Sequence, residues 1–139
     1  MKLAALLLTA SALAPYAARA EAPADTVRGY FQALEHKDFG RALALTEGDA
    51  MKRTARMLGT LYREAHAAHA DVELKVQKLE LAEQKGEGTI PVEVTFDIDV
   101  IGKKWIFKRV ARHLTGTAQF YVATASPSPH IVAITGNLY

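Results

Sequence analysis

Cysteine is absent from the 139-residue chain. No disulfide can form, no thiol is offered to a metal or a substrate, and no lipid can be attached through a cysteine. Carboxylates are absent from everything beyond Asp99, which leaves the C-terminal part without an acid of that type. The chain has no G-x-S-x-G nucleophile elbow and no glycine loop of the phosphate-cradling kind. No repeat, long linker or low-complexity run divides it, so one domain is expected. A chain of this size buries about 65% of its unfolded surface, which suffices for a single core.

What is present begins with an export pattern. Lys2 supplies a positive start, Leu3 to Leu8 an apolar stretch, and Ala18-Arg19-Ala20 an A-x-A site before Glu21. Residues 1–20 are therefore expected to be a signal peptide cut after Ala20, with residues 21–139 as one domain in the periplasm or outside the cell. The apolar stretch is too short to span a bilayer, so no stable membrane anchor is expected after cleavage. Removing Lys2 and Arg19 from the 17 basic residues leaves 15, against 15 acidic ones. That balance lacks the electrostatic footprint of a nucleic-acid binder, and no nucleic-acid partner is expected.

Apolar spacing predicts three helices and then a sheet. Val27, Tyr30, Phe31 and Leu34 recur at three and four, behind a cap at Asp25 or Thr26. Asp38 caps a short second helix with Phe39, Ala42, Leu43 and Leu45. A third, capped near Asp49, presents Met51, Ala55, Leu58, Tyr62, Ala65 and His69. From Asp71 the period becomes two. Val72, Leu74 and Val76 alternate with polar residues, and then Leu79 and Leu81 carry the pattern one residue out of phase, which reads as a β-bulge. Gly86 and Gly88 mark a turn. Val92, Val94, Phe96, Ile98 and Val100 form the clearest strand face, and Ile131 to Thr135 a last strand.

Gly102-Lys103 fits a two-residue type II′ hairpin, which wants glycine first. That turn sets Asp97 against Lys108, Glu93 against Arg112, Val100 against Trp105 and Ile98 against Phe107. The basic run from Lys103 to Arg112 then neutralises the acidic strand beside it. In this register Arg109 falls opposite Phe96 on the apolar face, and His113, Thr115, Thr117, Gln119 and Tyr121 share its parity. Polar groups on a core face are costly unless they are hydrogen-bonded or line a wet cavity. A cavity with Arg109 and His113 in its wall is expected.

The segment Val27-Arg28-Gly29-Tyr30-Phe31-Gln32-Ala33-Leu34, with Lys37-Asp38-Phe39 and Ala42 to Leu45, resembles the opening of the nuclear transport factor 2-like (cystatin-like cone) superfamily. Ala118 to Val122 and His130 to Ile134 resemble its last two strands. That group includes the SnoaL-like polyketide cyclases, ketosteroid isomerase and many exported domains. The resemblance implies an α+β cone: three N-terminal helices on a strongly bent four- to five-stranded antiparallel sheet, with a cavity at the open end. Ketosteroid isomerase adds an enzymatic expectation. Tyr30 matches its oxyanion-hole tyrosine, and Glu47 or Asp49 lies where its base belongs, but its second acid has no counterpart after Asp99. No catalytic residue and no cofactor are therefore assigned.

Two histidines, His66 and His69, share a helix face at metal-ligand spacing, but further ligands are not evident and no metal is assigned. Ser126 and Ser128 read as turn residues. Two function classes remain open. One is binding of a small, anionic ligand by Tyr30, Arg109, His113 and Tyr121, with the guanidinium as charge partner. The other is a protein-interaction or homodimerisation module acting through the sheet, with an acid/base lyase or isomerase behind both.

Overall fold

A computed structural model describes residues 22–124 and 128–136. The expected leader and Ser126 lie outside them. Three helices precede four strands: α1 (Pro23–Glu35), α2 (Phe39–Ala44), α3 (Gly48–Ala67), β1 (Asp71–Glu83), β2 (Thr89–Lys104), β3 (Phe107–Ala123) and β4 (His130–Gly136). The strands form one antiparallel sheet in the order β1-β2-β3-β4. The fold is α+β, with the helices packed on one face of the sheet.

The stripe expected of α1 is the buried one: Val27, Tyr30, Phe31 and Leu34 all point into the core. Its cap is not Asp25 or Thr26. The helix starts at Pro23, and the Glu83 carboxylate at the end of β1 accepts from the Ala24 N–H at 2.9 Å. A carboxylate from a distant strand thus complements the positive helix end. Asp38 caps α2 as expected, accepting from the Arg41 N–H at 3.2 Å.

The third helix is rotated from the expectation. Its buried residues are Ala50, Thr54, Met57, Leu58 and Leu61, while Met51 and Tyr62 are exposed. Thr54 hid this stripe, because a hydroxyl in an apolar row reads as a solvent position. Inside the fold it shares a 2.8 Å hydrogen bond with the Tyr30 hydroxyl, which removes the cost of burying both. No side-chain hydrogen bond caps α3; Asp49 lies within its first turn. Arg53 ties the helix to the sheet, donating to the carbonyls of Ile134, at 2.7 Å, and Gly136.

The phase slip in β1 is a real irregularity. Pairing with β2 runs Val76↔Ile98 and then Lys78↔Asp97, so Gln77 is the extra residue. Glu35, at the end of α1, accepts from the Val76 N–H at 2.8 Å beside it. Val72, Leu74, Val92, Val94, Phe96, Ile98 and Val100 face the helices. With Ala118, Phe120, Val122, Ile131 and Ile134 they complete one core.

The hairpin between β2 and β3 departs most from the sequence reading. Gly102 and Lys103 lie within β2, and Lys104 pairs with Phe107, so the two-residue turn is Trp105-Ile106. A second irregularity, Val100↔Arg112 followed by Ile101↔Val110, skips Ala111. Asp97 therefore faces Thr115, Glu93 faces Gln119, and Arg109 faces Gly102, not Phe96. On its other side Lys75 lies opposite Asp99 and Lys78 opposite Asp97, but the ion pair Lys78 makes is with Glu80, at 3.7 Å.

Candidate functional site

Each residue expected around a cavity can now be placed. Tyr30 is fully buried under the sheet. Its ring meets Phe31 and Phe120 at centroid distances of 5.4 and 5.6 Å, and those two meet at 5.5 Å. Burial pushes its phenol up to about 12, against the smaller lowering effects of the Thr54 hydrogen bond and the Arg53 charge. A neutral phenol already bonded to Thr54 is poorly placed to stabilise an oxyanion.

His113 and Tyr121 project from the opposite face of the sheet. His113 pairs with Asp99 across the strands, and its side chain is 68% exposed. It donates from Nδ1 to the Asp99 carboxylate at 2.6 Å, and Gln77 donates to the other Asp99 oxygen at 3.0 Å. Tyr121 sits opposite Pro91, half-buried on that face. Arg109 is exposed near the hairpin end. The core and a whole sheet layer separate Tyr30 from His113, and the structure does not bring the four together.

Asp97 adds a third ligating group near Asp99 and His113, with one atom from each within 4.8 Å of the others. The Asp99 bonds to His113 and Gln77 account for this cluster as a cross-strand polar network. The histidines near the end of α3 do not share an acid with it. Asp71 pairs with Lys37 at 3.3 Å, and its carboxyl is held low by the Val72 N–H first and by Lys37 next. Two open depressions exist as well. One, of about 650 Å³, lies by Pro23, Glu83 and Ile90; the other, of about 500 Å³, by Glu35, Lys37 and Glu73.

The conspicuous feature is the hairpin tip. β2 and β3 continue one rung past the first residue of β1, which pairs with Lys103, so the Lys104↔Phe107 rung and the turn are covered by no third strand. Trp105 is 87% exposed, Ile106 88%, Phe107 67% and Val110 43%. A soluble domain normally places scattered single apolar residues on its surface; three consecutive large ones at a turn form a patch.

Trp105 also has a φ of +60°. Positive φ at the first turn position, without it at Ile106, is the type II′ pattern that favours glycine there. A tryptophan in this conformation is strained by about 1–2 kcal/mol, and at its exposure no packing compensates.

Register places basic residues on both faces of this tip. Lys104 and Arg109 share the parity of the core-facing residues, while Lys103 and Lys108 lie on the other face. Lys103 and Lys108 flank Glu73 at 3.3 and 4.0 Å, and Lys103 holds the Glu73 carboxyl below its ordinary range. Arg112, past the bulge, reaches Glu64 near the end of α3 at 3.4 Å. Lys104 and Arg109 have no carboxylate partner among the described residues.

A strained turn residue gives the first expected result. Trp105→Gly should raise stability by about 1 kcal/mol in urea titration, because glycine takes the left-handed conformation freely. A loss of stability would show that the indole packs on the fold.

No family model, curated protein or solved structure matches the chain.

Proposed function

We propose that the protein is an exported, non-enzymatic docking domain whose contact element is the β2–β3 hairpin tip. The observation that carries this reading is the run Trp105-Ile106-Phe107, held in the open at a turn one rung beyond the end of β1. Strain kept at an exposed position is retained for something outside the fold. Support also comes from the interior, where Tyr30, Phe31 and Phe120 occupy the space in which a cone would hold a ligand. On the outer sheet face His113 and Gln77 hold Asp99, and Lys78 pairs with Glu80, while the apolar tip stands exposed.

The scaffold is proposed to be a cone of the nuclear transport factor 2-like type. Helices preceding the sheet and irregularities in its long strands support that assignment. Delivery to the periplasm or beyond rests on the A-x-A pattern of the leader.

A photoreactive amino acid at position 105, with a control at Glu93 on the outer sheet face, tests the docking reading in the producing cell. Adducts at 105 and none at 93 are expected. Adducts at neither position, or equally at both, would contradict it.

A further inference from the structure

We infer that the hairpin tip docks on a bilayer surface carrying anionic phospholipid, an inference that rests on the docking reading above. Three observations converge on lipid. The apolar element is narrow and convex: a two-residue turn with Phe107 beside it. A stable protein partner needs about 800 Å² per side, more than one turn can cover, whereas an acyl-chain boundary accepts a small wedge.

The residue types fit an interface. Tryptophan sits where headgroups meet hydrocarbon, with its ring in the apolar layer and its N–H in the wet one. Ile106 at the apex offers a purely aliphatic side chain, which suits hydrocarbon.

The charge is complementary and local. Lys103, Lys104, Lys108 and Arg109 flank the apolar residues on both hairpin faces, and their long stems reach headgroup phosphates while the tip is immersed. No Asp or Glu follows Asp99 in the chain, so β3 brings no negative charge toward the surface. The carboxylates near the tip bases both belong to β1: Asp71, opposite Lys103 and paired with Lys37, and Glu73, between Lys103 and Lys108. Each cation near an anionic surface contributes about fivefold in affinity, screened by salt. One wedge with a few cations gives weak, reversible association. Among the described residues no helix is long and apolar enough to cross a membrane, and peripheral contact does not need one.

The protein carries its own probe, because Trp105 is the only tryptophan. The exported protein is titrated with vesicles of phosphatidylcholine, alone or mixed with phosphatidylglycerol, while tryptophan emission is followed. A blue shift on the mixed vesicles, quenching by brominated acyl chains and reversal by salt are expected, with little change on phosphatidylcholine alone. Ile106→Ser should weaken the response about tenfold. Lys104→Glu with Arg109→Glu should weaken it at least about 25-fold. Both variants change exposed residues and should keep the native melting profile.

An unshifted, unquenched tryptophan on every vesicle overturns the lipid inference, and so does equal binding to neutral and anionic vesicles. Emission that shifts with protein concentration alone, with dimers in light scattering, assigns the tip to a second copy; that overturns lipid and leaves the docking reading standing. A shift on single-stranded DNA but not on vesicles does the same. Absence of both vesicle binding and position-105 adducts removes both readings.

Discussion

Phe120→Ala should destabilise the domain by about 3–5 kcal/mol, the range for emptying a filled aromatic position. Phe120 is wholly buried on β3, between the rings of Tyr30 and Phe31 on α1. It therefore joins the helical layer to the sheet. Domains of this size have about 5–15 kcal/mol in all, so the variant should unfold at a much lower urea concentration or fail to accumulate. Phe120→Leu, which keeps most of the volume, should retain the fold and show about half the loss. A ring lining an open chamber would cost far less to remove, since no closed cavity would be created. A loss under about 1.5 kcal/mol for Phe120→Ala would contradict a filled interior.

The second large effect comes from the Tyr30–Thr54 pair. Thr54→Val strands the Tyr30 hydroxyl in the core and should cost about 1–3 kcal/mol, as an unsatisfied buried donor does. The double variant Tyr30→Phe, Thr54→Val should cost less than the sum of the single changes, because the two hydroxyls are then lost together.

The same burial sets a pH dependence. Tyr30 holds its proton up to about 12, whereas an unfolded tyrosine releases it near 10. Between those values the folded chain binds one proton more than the unfolded chain, so stability falls as pH rises. Its contribution is fully present below about 10 and is lost by about 12, a difference of about 2–3 kcal/mol. Comparing urea midpoints at about pH 9 and about pH 11.5 should show a steeper decline for the native protein than for Tyr30→Phe. Equal declines would show that the phenol is not buried as described.

Much of the scaffold could be read from spacing alone. The α1 stripe, the Asp38 cap, the β1 irregularity and the buried face of β2 arise from local alternation of apolar and polar groups, which sequence displays directly. Long-range satisfaction could not be read. Thr54 belongs to a core row only because Tyr30 reaches it, and the α1 cap comes from Glu83, far along the chain.

The hairpin misled for a definite reason. Gly102 is the residue a II′ turn prefers, while the actual turn puts a tryptophan in that position. Moving the turn changed every β2–β3 pair. The turn shift carried Arg109 to the tip, and the bulge at Ala111 turned His113 to the outer face; with them went the cavity wall expected from parity. Large apolar residues in a strand are normally read as core, so the exposure of Ile106 and Phe107 had no local signal. The symmetry of Lys103-Lys104 and Lys108-Arg109 about the apolar residues between them was the available clue.

Fluorine NMR of 5-fluorotryptophan at position 105, the only tryptophan site, tests most directly whether the tip is the contact element. In the purified protein the account predicts one narrow resonance that shifts on exchange from water into heavy water. Adding the cell-envelope fraction should broaden that line and abolish its solvent shift, and Ile106→Ser with Phe107→Ser should restore both. A line that stays narrow and solvent-sensitive throughout would contradict the account.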